Sequence, residues 1–181
     1  MIWFSRVLTI ALGLLFFTGS MTLAQSIGLD FKSMPVGTKA HYVDDLGRKF
    51  TYRYSGSYGA GKGKRYIIQV EGSRSYQRLY NSAGFLVAMR HLDFQFNYRP
   101  YFCTRKLGAC RFFYDNDYSP LSGSWNTVVK KTSNGYHAQM RPKNKNRKEV
   151  ANFYYKLGRF NFFSEFVAGD NWERLIKVTT P

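Results

Sequence analysis

The chain has 181 residues, 44% of them hydrophobic and 18% aromatic, with a formal net charge of +16. That apolar content excludes a disordered chain despite the charge, and the length suits one domain with its own core. The charge excludes nothing catalytic, but it directs attention to anionic partners.

The chain opens with Arg6 ahead of an apolar run over residues 7–17, "VLTIALGLLFF", and then the small and polar "TGSMTLAQ". A positive start, a short apolar core and small residues at Thr22 and Ala24 predict a secretory signal peptide over residues 1–24. The run is shorter than the ~20 residues of a membrane helix, which leaves an uncleaved anchor as the alternative. An exported protein, periplasmic or extracellular, is therefore expected, with residues 25–181 as a single all-β domain. Arg6 is the only charged residue removed, so the mature charge falls by one from +16.

"KFTYRYS", residues 49–55, alternates Phe50, Tyr52 and Tyr54 with Lys49, Thr51, Arg53 and Ser55. That is the period of a half-buried strand. "GSYGAGKGK", residues 56–64, then approaches the phosphate-cradling pattern G-x-x-x-x-G-K-[ST]. The pattern needs a helix after the loop and a hydroxyl after the lysine. Here Gly63 takes the hydroxyl position and "KRYIIQV" reads as another strand, so a hairpin loop is expected and no nucleotide. "HLDFQFNY", residues 91–98, alternates as cleanly as the first strand. His91 and Asp93 share one of its faces, but two ligands are too few for a zinc site.

Cys103 and Cys110 bracket "TRKLGA" with a glycine turn inside, and they are the only cysteines. In an exported chain this spacing predicts one disulfide across a hairpin, contributing roughly 2–3 kcal/mol. The densest basic run follows in "RPKNKNRK", with Arg141, Lys143, Lys145, Arg147 and Lys148. The stretch 147–157 permits a short helix behind Asn146 and Glu149, although "NFYY" favours a strand. "RFNFFSEF", residues 159–166, reads as a strand with Phe160, Phe162 and Phe166 on one face and Phe163 on the other.

Glycine-bearing turns punctuate the runs, as in "DDLG", "NSAG", "TSNG" and "YKLG". The whole predicts an all-β fold, an antiparallel meander of hairpins of about 9–12 strands closing into a small barrel or sandwich. The candidate anion-binding residues are Lys62, Lys64 and Arg65 in the glycine-rich loop and the five cations of the later run. The expected partner is an anionic polymer or membrane surface: a glycolipid, an acidic polysaccharide or a phospholipid layer. No cofactor, metal or catalytic residue is predicted, because neither H-E-x-x-H nor G-x-S-x-G occurs. Two other readings stand beside this one. The first is a small lipid-binding or outer-membrane barrel. The second is a secreted hydrolase whose carboxylates lie far apart in sequence.

Overall fold

The computed structural model describes residues 27–91, 105, 107–114, 123–144, 146, 148 and 150–181. The first run of hairpins comprises β1 (Lys39–Asp44), β2 (Lys49–Tyr58), β3 (Arg65–Gly72), β4 (Tyr76–Tyr80) and β5 (Leu86–His91). The second comprises β6 (Gly108–Tyr114), β7 (Gly123–Thr132), β8 (Gly135–Pro142), β9 (Ala151–Leu157), β10 (Phe163–Ala168) and β11 (Asn171–Thr179). All eleven form one antiparallel sheet in the order β5-β4-β3-β2-β1-β11-β10-β9-β8-β7-β6. Every pair but one joins strands adjacent in sequence. The exception, β1 with β11, sets Lys39 opposite Thr179 and His41 opposite Lys177.

The all-β meander is therefore present, but the described sheet is not closed: β5 and β6 are its edges and do not pair. Burial is achieved by curling instead. On β1 and β2, Ala40, Tyr42, Asp44, Phe50, Tyr52 and Tyr54 are buried, while the residues between them are not. Tyr42 stacks on Phe50 with ring centres 5.5 Å apart, and Tyr52 tilts against Tyr42 at 4.8 Å. The inner face of β7, β8 and β9 adds Trp125, Val129, Ala138, Met140 and Tyr155. Residues 27–36 cross one end of the curl. Leu29, Phe31 and Met34 join the cluster under β1–β4, and Ile27 joins the one under β7–β9. Leu29 N donates to Gly84 O at 3.0 Å and Asp30 N to Phe160 O at 3.1 Å. The segment thus ties the two runs of hairpins together at the end where the β4–β5 and β9–β10 connections lie.

One local alternative resolves in favour of the strand, and one local expectation changes. Residues 147–157 give no helix among the described residues; β9 runs from Ala151, with Tyr154 exposed and Tyr155 buried. "RFNFFSEF" is only partly strand. Arg159–Asn161 is a 3-10 turn in which Phe160 and Asn161 have φ of 55° and 58°, and β10 begins at Phe163. A bulge between Phe163 and Glu165 then shifts the register against β9. Strict alternation separates Phe163 from Phe166; the extra residue brings their rings to 5.4 Å on the inner side. Of the strand expected at 91–98, only His91 lies among the described residues.

The opposite end of the sheet is held by Asp44, whose side chain is fully enclosed. Its carboxylate accepts the amides of Leu46 and Arg48, Arg48 Nε at 2.9 Å and Arg74 Nη2 at 3.1 Å. Arg74 also pairs with Glu173, joining the β1–β2 turn to the β3–β4 turn and to β11. Burial acts to raise the Asp44 pKa, but the hydrogen bonds and charges of Arg48 and Arg74 outweigh it and hold the carboxyl below its ordinary value. A depressed carboxyl contributes stability above its unfolded pKa, near ~3.9, and that contribution is lost as pH falls through the folded value. Asp44→Asn should therefore lower the denaturation midpoint at pH 7. Its stability curve should meet that of the wild type in acid. Parallel curves down to pH 2 would show that Asp44 does not titrate in this role.

Candidate functional site

The glycine-rich stretch is a hairpin connection. β2 leads into the 3-10 turn Gly61–Gly63 and β3 follows, with no helix. Lys62 is exposed. Lys64 Nζ lies 5.1 Å from the centre of the Tyr66 ring. Arg65 Nη1 donates to the carbonyls of Lys62 and Lys64, so this guanidinium braces its own turn. At the end of β8 and in the loop after it, Arg141, Lys143 and Lys148 are exposed, and Arg141 Nε donates to Gln139 Oε1 at 3.1 Å. Lys145 and Arg147 lie outside the described residues.

The two loops do not share a surface. Each leaves the C-terminal end of its strand, β2 and β8. Those strands are five places apart in an antiparallel sheet and so run in opposite directions. The loops accordingly sit at opposite ends of the fold.

A third group of cations, brought together by the pairing of β1 with β2 and β11, lies on the outer face where these strands meet. Lys39 stands opposite Arg53 on one side and Thr179 on the other; His41 stands between Thr51 and Lys177. Lys49 and Arg174 flank Val43 in the next row. The acids nearby are engaged: Glu71 with Arg53 at 2.6 Å, and Glu165 with Lys156 and Arg174. Lys39, Lys49 and Lys177 are exposed and form no ion pair among the described residues. His41 registers their field. Burial, then the charges of Lys177 and Lys39, push its pKa below the ordinary value. Its Nδ1 lies 3.1 Å from Thr51 Oγ1.

The inner face forms a partly open cavity of about 320 Å³. Arg78, Tyr80, Leu86 and Met89 of β4 and β5 line one wall. Phe153, Tyr155, Phe163 and Phe166 of β9 and β10 line the other. Strands that far apart in the sheet order share a cavity only because the sheet curls. Arg105, itself buried, closes the floor. Its Nη1 donates to the carbonyls of Ile27 and Asn161, and its guanidinium lies 4.0 Å from the Phe163 ring centre. Arg78 stacks over Tyr52 at 4.6 Å and donates from Nη2 to Tyr76 Oη, while its enclosed Nε has no partner among the described residues.

The remaining candidates are dispersed. Among the described residues no group of three or more His, Cys, Asp or Glu is placed to hold a metal ion. Asp93 lies outside the described residues. Cys110 sits on β6 opposite Thr127, and Cys103 lies outside the described residues. Comparison with protein-family models, with curated proteins and with solved structures found no match.

Proposed function

We propose that this is an exported, non-enzymatic binding module of the cell envelope whose outer face docks on an anionic surface. The observation that carries the reading is the lysine group Lys39, Lys49 and Lys177 on the β2–β1–β11 seam, exposed and without an ion pair among the described residues. Strand positions hold charges in fixed register, which a polyanion of regular spacing can match, whereas loop cations are held only by their turns. The basic loops at the two ends extend the same field and steer an approaching polyanion. A glycolipid, an acidic polysaccharide or a phospholipid layer all present the required charge.

The sidedness of the sheet weighs against the outer-membrane reading, since such barrels turn apolar residues toward lipid. Here most aromatics on β1–β4 and β7–β10 are turned inward, and the outer face carries lysines with only scattered exposed rings such as Tyr58 and Tyr154. The enclosed carboxylate of Asp44 is engaged by donors of its own fold and so lends no support to the hydrolase reading.

The test is a salt titration of binding to lipopolysaccharide, anionic vesicles and duplex DNA. Steep weakening with salt on at least one of them is expected. Absence of binding to all three at low salt would reduce the charge to a solubility device.

Export also carries the proposed Cys103–Cys110 disulfide. It is supported by compartment chemistry and by the lack of any free cysteine among the described residues. Protein purified from an oxidising compartment is expected to be two hydrogens lighter than after reduction. Two thiols alkylated without reductant would disprove the bond.

A further inference from the structure

We infer that the inner cavity is a second binding site, for a single-chain anionic amphiphile such as a long-chain fatty acid, separate from the outer-face lysines. Four observations converge on that ligand class. The cavity walls are aromatic and aliphatic, with Leu86 and Met89 facing Phe153, Phe163 and Phe166. Its volume of about 320 Å³ lies at the lower end of small-molecule sites, roughly 300–1,000 Å³, which suits one chain and not a diacyl lipid.

The charge inside is unbalanced. Arg78 and Arg105 both line the cavity, and neither has a carboxylate partner among the described residues. Glu173, the acid that lines it, is engaged by Arg74. Arginine stays protonated at any physiological pH, so both cations persist in a poorly solvated site. They also repel one another, since the charge of Arg78 acts on Arg105. Finally, the enclosed Arg78 Nε is a donor without an acceptor among the described residues. A carboxylate placed between the guanidiniums supplies that acceptor and the missing negative charge, while its chain lies along the aromatic wall. A neutral apolar ligand fills the wall and leaves the arginines uncompensated.

The experiment uses the full delipidated protein and cis-parinaric acid, a fluorescent C18 acid, beside the alcohol of the same chain. Saturable one-to-one binding of the acid is expected, at least tenfold tighter than the alcohol. Salt should change it by no more than about twofold, unlike binding at exposed lysines. Arg78→Met should cut the preference for the acid over the alcohol at least threefold, with the remainder held by Arg105. Arg105 is not the first choice for substitution, because it also braces Ile27 and Asn161. Met89→Glu, on the edge strand β5, places a carboxylate in the cavity and should abolish acid binding with the circular dichroism spectrum preserved. Three results would overturn the inference: no saturable binding, as when a segment of the chain itself fills the space; equal affinity for acid and alcohol; or discrimination undiminished by Arg78→Met. Each can occur whether or not the outer face binds polyanions.

Discussion

Gly84→Ala is expected to destabilise the protein by about 3 kcal/mol. The β4–β5 turn and the N-terminal segment cross at Gly84 and Gly28 with no side chain between them. A Cβ on Gly84 would lie 2.7 Å from the Gly28 carbonyl carbon and closer still to the Leu29 backbone. A Cβ on Gly28 would lie 2.8 Å from the Gly84 carbonyl carbon and closer still to Ala83 O. All these atoms are backbone, so none can swing aside as a flexible side chain does. Gly84 also has φ of +75°, a conformation costly for alanine. Overpacking contributes roughly 1–3 kcal/mol and the backbone strain about 1 kcal/mol.

Gly169→Ala separates the two contributions. Gly169 has φ of +62° but nothing within 4 Å of its Cβ position, so only the strain of about 1 kcal/mol applies. Denaturant midpoints of the two variants measure the difference. If Gly84→Ala is no worse than Gly169→Ala, the N-terminal segment does not close the end of the sheet as described. Because that segment joins the two runs of hairpins, the clash should also loosen the cavity, whose floor residue Arg105 bonds to Ile27 O.

What the sequence made legible follows the reach of its signals. The period-two pattern of residues 49–55 is local, and β2 buries Phe50, Tyr52 and Tyr54 as that pattern requires. The failure of the phosphate-loop pattern was equally local, since strands on both sides forbid its helix. The pairing of β1 with β11 joins the two ends of the domain and depends on curvature summed over the whole sheet. No short window contains it, and so the lysine seam stayed hidden. Lys39 and Lys177 are separated by most of the chain, whereas the loop cations crowd together in sequence and drew attention they share with no common surface. The 3-10 turn ahead of β10 was hidden for a different reason. Phe160 and Phe162 fit the alternation, and only the left-handed backbone at Phe160 and Asn161 breaks it. The cavity shows both limits. Its aromatics were visible as inward positions, but Arg78 stands among the inward tyrosines of "YQRLY" and pattern alone does not distinguish a guanidinium that reaches inward from one that reaches out.

Reversing the seam, as Lys39→Glu, Lys49→Glu and Lys177→Glu together, is expected to remove most polyanion binding. Reversing Lys62 and Lys64, or Lys143 and Lys148, is expected to weaken it modestly. For duplex DNA each neutralised phosphate contributes about −0.9 to the log–log salt slope, so losing three contacts should flatten the slope by roughly 2.7. The reversal should leave the fold intact, because exposed charges contribute only about 0–1 kcal/mol each. His41 provides a readout that general loss of charge elsewhere does not move. Lys177 and Lys39 act with burial to depress its pKa, so replacing both cations with acids must raise it, and proton resonances of the ring follow that titration directly. A depressed histidine favours the folded state above its unfolded pKa, near ~6.5, and that contribution is lost as pH falls through the window below it. The seam variant should therefore lose less stability than wild type between neutral and mildly acidic pH. A raised His41 pKa with unchanged polyanion affinity would place the docking surface elsewhere, at the ends of the sheet. An unchanged His41 pKa would mean that the lysines do not stand where β1 and β11 set them.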